Sequence, residues 1–365
     1  MSDKQSWLNT YWPVIAGASV GVLAPILVKL GNPGNMGVCV ACFTRDISGA
    51  LGLHKAATVQ YLRPEIMGIV LGALAAALLF REFRPRTGSA PIVRFLLGAF
   101  AMIGALVFLG CPWRAYLRLS GGDWNALYGL VGLVAGIWAG IGFLRAGFSL
   151  GRSRPAPATV GWVMPGLMLI LIVVVVYIFT SLAGSAAGPI YFSTSGPGSQ
   201  HAPWLVSLAV GLVIGTMLQR SRLCTVGAVR DMIMLRDPHL LRGIIALVGA
   251  AFLTNLLLGQ FRPGFAGQPV AHTAALWNFA GMVLAGLAFT LAGGCPGRQL
   301  ILAGEGDGDA GIFVLGMLVG AGFAHNFSLA SSPAGPGTYG PVAVVIGLLV
   351  CAVFGFSMRE REIAG

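Results

Sequence analysis

Carboxylates are scarce in this sequence. Its 365 residues hold 12 Asp and Glu against 23 Lys and Arg, and charged residues make up 10% of the chain, well below the ~25% usual for a soluble domain. So little charge excludes an ordinary water-soluble globule. No Walker-type phosphate loop is present, which argues against an ATP-driven pump within this chain. The five histidines complete no Ser-His-Asp constellation or zinc ligand set, so neither a hydrolase centre nor a metal or other cofactor is expected. The first eleven residues carry one lysine and no basic cluster, and no small-residue cleavage site follows the first apolar run. No removable signal peptide is expected. The six cysteines, at 39, 42, 111, 224, 295 and 351, lie mostly in or beside apolar segments, where free thiols are common, and no structural disulfide is expected.

What is abundant is apolar. Hydrophobic residues make up 56% of the chain and mean hydropathy is +0.82. Ten runs approach the roughly 20 residues needed to cross ~30 Å of hydrocarbon: 12–29, 65–80, 94–110, 126–145, 161–182, 204–219, 243–258, 274–292, 310–328 and 339–357. The fold class expected is all-α, a polytopic protein of the lipid bilayer. The formal charge of +11 sits in short loops between the runs, where the cytoplasmic bias of basic residues accounts for it, and no nucleic-acid partner is implied.

The chain also repeats itself. Cys39-Val-Ala-Cys42-Phe-Thr-Arg45-Asp46 is matched by Cys224-Thr-Val-Gly-Ala-Val-Arg230-Asp231, a shift of 185 residues (224 − 39). Phe83-Arg84-Pro85 returns as Phe261-Arg262-Pro263. Phe95, sixteen residues before Cys111, matches Phe279, sixteen before Cys295, and Gly122-Asp123 matches Gly306-Asp307, both at a shift of 184. Landmarks in one order at near-constant spacing mark two homologous halves. Residues 1–160 form the first repeat, 161–203 a linking span and loop, and 204–365 the second. Five crossings per half is an odd number, so the second half starts from the opposite side. The repeats are then inverted, an architecture used by transporters. Basic residues test this: Arg152 and Arg154, then Arg220, Arg222, Arg230, Arg236 and Arg242, and finally Arg359 and Arg361, alternate with loops at 183–203 and 329–340 that have none. Both termini are expected in the cytoplasm. In the first half, Lys29, Arg45, Lys55 and Arg63 on one side roughly balance Arg81, Arg84, Arg86 and Arg94 on the other.

Two motifs carry chemistry. Gly110-Cys111-Pro112-Trp113-Arg114 and Gly294-Cys295-Pro296-Gly297-Arg298 each place Cys-Pro at the end of an apolar run. Proline stops the incoming helix and favours the first position of a new one, which makes Cys111 and Cys295 candidate N-caps of half-helices. Their thiols would sit where unpaired N–H groups and the positive end of the dipole converge, with Arg114 or Arg298 three residues on. An anion fits that place. The Cys39 and Cys224 elements lie in stretches too polar to span and are read as re-entrant or interfacial helices, tolerable at membrane depth only beside a cavity or inside protein. Arg45 either faces an anion or makes a structural ion pair. Arg45 and Asp46 point about 100° apart on a helix and are not expected to pair with each other. Arg230 and Asp231 repeat the arrangement. Cys42 makes a C-x-x-C with Cys39, but its repeat partner is Gly227 and nothing completes a metal set; it adds a thiol near the path or fills space. Cys351 is expected in the core. His325, beside Asn326, lines a polar path or packs between helices.

At these motifs the sequence resembles the YeeE/YedE family of sulfur transport proteins, and most closely its selenium-metabolism-associated subgroup. The resemblance is carried by Gly34-Asn-Met-Gly-Val-Cys39-Val-Ala-Cys42-Phe-Thr-Arg-Asp46, Gln60-Tyr-Leu-Arg-Pro-Glu65, Gln219-Arg-Ser-Arg-Leu-Cys224 and Gly293-Gly-Cys-Pro-Gly-Arg-Gln-Leu-Ile-Leu-Ala-Gly-Glu-Gly306, and covers nearly the whole chain. It implies an hourglass-shaped inner-membrane transporter, not an enzyme, in which cysteine thiols along a narrow path relay thiosulfate through weak S–H contacts. Carried over by position, Cys39 belongs to the outer re-entrant segment, Cys111 to the outer half-helix, Cys295 to the inner one, and Cys224 is the repeat partner of Cys39. The resemblance also implies a cytoplasmic TusA-like sulfur or selenium carrier as partner. This sequence departs from the thiosulfate carriers in having Cys-Pro at both half-helices. The cargo expected is a small sulfur or selenium anion; the alternative is a membrane thiol enzyme or receptor that forms a persulfide or selenopersulfide and hands it on.

Overall fold

The computed structural model describes residues 3–181 and 190–359, so Arg361 and the two chain ends, whose sidedness the charge pattern addresses, lie outside the described residues. Fourteen helices form among the described residues: α1 (Asp3–Lys29), α2 (Val40–Ala50), α3 (Pro64–Leu79), α4 (Pro91–Phe108), α5 (Pro112–Ser120), α6 (Asn125–Arg145), α7 (Ala158–Ser181), α8 (Trp204–Ser221), α9 (Thr225–Leu235), α10 (His239–Leu257), α11 (Ala275–Ala292), α12 (Pro296–Gly304), α13 (Gly308–Asn326) and α14 (Gly340–Ser357). One short antiparallel pair, β1 (Arg86–Thr87) with β2 (Arg154–Pro155), joins two loops. Nine segments among the described residues are long and apolar enough to cross a membrane, which makes this an all-α polytopic membrane protein. The expected run at 65–80 is α3, whose 16 residues rise only about 24 Å. Protein encloses it, with twelve of the sixteen buried.

Both Cys-Pro sites break a helix. α4 ends in Leu109 with left-handed backbone (φ 62), the amide of Gly110 folds back to the carbonyl of Ala105 at 2.7 Å, and Pro112 opens α5. α11 ends the same way: Gly293 takes φ 88, the Gly294 amide reaches the Phe289 carbonyl at 2.9 Å, and Pro296 opens α12. This fold-back satisfies the last carbonyls of a helix. Glycine takes the left-handed turn without strain; Leu109, buried in the core, holds the same turn against it.

Membrane helices associate by close packing and not by escape from water, so small residues mark their seams. α1 meets α10 where a Cβ on Gly17 would overlap the Gly243 carbonyl, and α3 meets α8 where one on Gly72 would overlap that of Leu212. α6 packs on α11 through Gly132 against Phe279, and α13 on α4 through Gly316 against Phe95. The loops exchange in the same manner. Amides of Arg84 and Arg86 donate to the carbonyls of Glu305 and Gly306 at 2.9 and 3.4 Å, while amides of Arg262 and Gly264 donate to those of Gly121 and Gly122, both at 2.9 Å. These contacts from the first part of the chain to the second run in both directions. The last helices break the pattern: α7 packs on α3, α12 and α13, whereas α14 packs on α4, α6 and α11.

Candidate functional site

Four short helices bring their N-termini into the interior, and each is capped by a cysteine. Cys39 caps α2, its sulfur accepting the Cys42 amide at 3.3 Å; Cys224 caps α9, accepting the Gly227 amide at 3.3 Å. Cys295 caps α12, its sulfur accepting the Arg298 amide at 3.5 Å. Cys111 caps α5 without such a bond, and its sulfur lies 3.8 Å from that of Cys39. The Cys-Pro spelling announced the caps at 111 and 295. Nothing so explicit announced those at 39 and 224, where no proline follows. All six cysteines are free and buried.

The thiols fall into two pairs. Cys39 and Cys111 form one; in the other, the Cys224 sulfur also accepts the Cys295 amide at 3.4 Å, so two N–H groups converge on it. Helix N-termini carry partial positive charge and unused donors, a chemistry that suits a small anion.

Arg114 is the third component. It is fully buried, and its guanidinium donates to the backbone carbonyls of Asn35 (3.0 Å), Val270 (2.9 Å) and Leu109 and to the sulfur of Cys42 (3.3 Å). Cys42 thus accepts a hydrogen bond from the buried cation. Among the described residues no carboxylate pairs with Arg114. Its neighbours differ: Arg118 binds Asp123 at 2.6 Å, and Asp46 lies between Arg45 and Arg63, 2.7 Å from each. A guanidinium buried without a carboxylate is costly, which makes Arg114 a candidate functional position.

The pairing of Arg45 with Asp46 corrects the expectation that neighbours on a helix would not meet. Both are almost wholly buried, a dry carboxylate needs cations, and the long arginine arm curls back to supply one. Arg230 and Asp231 do likewise at 2.9 Å, on a wetter surface. Asp46 is thus a structural anchor, and Arg63, which completes it, is a residue the sequence reading did not single out. Arg298 turns to Glu305 at 3.3 Å, and Glu305 also holds Arg222 at 2.8 Å. His325 packs against His54, ring centroids 4.5 Å apart, and Cys351 is core.

A cavity of about 320 Å³ opens against Gly34, Asn35 and Gly37, the turn that leads into Cys39; neither thiol of the first pair lines it. It is lined by Lys29, Asn35, Asn255, Gln260, Arg262 and Gln268 among others, and Asn35 is the residue whose carbonyl Arg114 holds. Neither Lys29 nor Arg262 pairs with a carboxylate among the described residues. At the far end of α12 the charges are instead neutralised: Glu82 binds Arg220 and Arg222 at 3.2 and 2.7 Å, beside the Glu305 network.

Residues 220–358 match the profile of a family described as Sulphur transport. A thiosulfate transporter, TsuA of Spirochaeta thermophila, is 30% identical over 99 residues, covering 27% of this chain and 29% of that relative. The chain therefore aligns with less than a third of that relative's length. Both descriptions name transport and not an enzymatic reaction.

Proposed function

We propose that this chain is a membrane transporter of the sulfur transport family that carries a small sulfur anion of the thiosulfate class along its two thiol pairs. The observation that carries this is the buried Arg114 without a carboxylate, placed over cysteine-capped helix N-termini. The anion would collect in the cavity between Lys29 and Arg262, pass Asn35 and Arg114, and be handed from Cys39 and Cys111 to Cys224 and Cys295 by hydrogen bonds from thiols and amides. The partial match of the family profile and the thiosulfate transporter's similarity support the cargo class. Motif wording shared with selenium-associated proteins extends it to small selenium anions, and a TusA-like carrier is the cytoplasmic acceptor the resemblance implies.

The matched contacts support two inverted repeats, 1–160 and 204–365, joined by 161–203. Cys111 and Cys295 each stand twenty residues past the start of a 30-residue span (111 − 91 and 295 − 275). In spans running oppositely they lie on opposite sides of the midplane, one pair above the other. Burial also sharpens orientation. Arg45 and Arg63 are interior and drop out of the loop count, leaving Lys29 and Lys55 against Arg81, Arg84, Arg86 and Arg94. The arginine side is then cytoplasmic, at an inner membrane, with the cavity outward.

The test is uptake of labelled thiosulfate and labelled selenite into proteoliposomes of wild type and of Cys111→Ala and Cys295→Ala. Cysteine-dependent uptake of either anion is expected. Wild-type rates in both variants would remove the thiols from the path, and a stable sulfur adduct on a cysteine by intact mass would favour the thiol-enzyme alternative.

A further inference from the structure

Trp113 and Gly297 occupy the same place in the two halves, and they touch. A Cβ on Gly297 would overlap the Cζ2–Cε2 edge of the Trp113 indole. Gly297 has no left-handed backbone, so nothing in its conformation calls for glycine; what calls for it is the room the indole takes. Trp113 follows Pro112 at the start of α5, and side chains there lean back toward the helix N-terminus, which carries the ring toward the start of α12. The ring thus bridges the starts of α5 and α12, the two helices that Cys111 and Cys295 cap. It is 3% exposed. Among the described residues its indole N–H has no hydrogen-bond partner. That N–H is not among the side-chain atoms sealed from solvent without a partner; it is an open donor, of a kind that usually finds an acceptor.

We propose that Trp113 is the barrier and selectivity residue between the two thiol pairs: its ring closes the passage, and its N–H is the donor that a small anion meets on crossing. The inference rests on the transport reading for its purpose, though not for its test. The substrate class it selects is a compact inorganic anion; one carrying an aromatic or bulky organic group does not pass the ring.

A small membrane-impermeant thiol reagent, applied to each side of sealed vesicles in turn and mapped by mass spectrometry, reads the barrier without any flux. In the wild type and in Trp113→Phe each side is expected to reach only its nearer pair of cysteines. In Trp113→Ala each side reaches both pairs. Equal labelling of the far pair in wild type and Trp113→Ala overturns the proposal, whatever the cargo proves to be. In flux assays Trp113→Ala should admit benzenesulfonate, which the wild type rejects. Gly297→Ala, which overpacks the ring, should slow thiosulfate by about tenfold, and the double variant Trp113→Ala, Gly297→Ala should regain the rate of Trp113→Ala. Failure of that rescue, in protein whose melting temperature matches wild type, also overturns it. A wild type without flux but with sided labelling would sink the transport reading and leave the barrier standing.

Discussion

Helices α2 and α9 carry the same motif in two surroundings. Each begins with a capping cysteine and carries Arg-Asp six and seven residues later. In α2 every residue is buried, and Asp46 is locked between two arginines. In α9 only Thr225 to Ala228 are buried, and Met232 and Leu235 are 42% and 71% exposed. The helices that follow each half account for part of this, since α7 lies along α3, beside α2, while α14 settles on α4, α6 and α11 and not along α10, the helix beside α9. One motif therefore serves as an interior brace in the first half and as a surface helix in the second. The cysteine cap is what both retain.

The largest expected break in this comparison is Asp46→Asn. It strands two buried guanidinium groups and should cost about 3–5 kcal/mol, read as a lost or strongly lowered melting transition in detergent. Asp231→Asn, in a half-exposed pair, should change stability by no more than ~1 kcal/mol. Next comes Arg114→Gln against Arg298→Gln. Loss of the uncompensated cation should reduce thiosulfate uptake by roughly ten- to a hundredfold, the equivalent of a charged hydrogen bond of ~1.5–3 kcal/mol. Arg298, already held by Glu305, should matter less, and equal losses would erase the distinction between the two ends. Cys42→Ala removes one of Arg114's acceptors and should have a smaller effect than Cys39→Ala in the same assay. The smallest effect concerns Glu82. Burial raises its pKa, but the Gln219 amide and the charges of Arg222 and Arg220 outweigh that and hold it below the ordinary carboxylate range. A depressed acid adds stability above that range and loses it as pH falls through the depressed value. Melting temperature followed into acid should thus fall less steeply in Glu82→Gln, and high salt should blunt the difference.

Much of the fold was legible because bilayer constraints are written in composition and length. Proline after a cysteine, at the end of an apolar run, marked both helix breaks to the residue. What stayed hidden was decided by three-dimensional neighbours. Arg63 reads as a loop charge until the fold shows it folded inward against Asp46, and so the basic-residue balance of the first half looked even. The partnering of Arg114 with carbonyls from residues 35, 109 and 270 has no local signature. Trp113 against Gly297 could have been noticed as a size mismatch between aligned motifs, yet only packing gives the mismatch meaning.

The loop exchange has a consequence for how the protein is made. The carbonyls of Gly121 and Gly122 find their partners only when residues 262–264 have been synthesised, about 140 residues later. At ~5–20 residues per second that is on the order of ten seconds, during which the first half sits in the bilayer with an unfinished turn. Ribosome-stalled chains ending before residue 262 should therefore remain open to proteases and insertion chaperones at 118–124, and close only when the second half arrives to complete them.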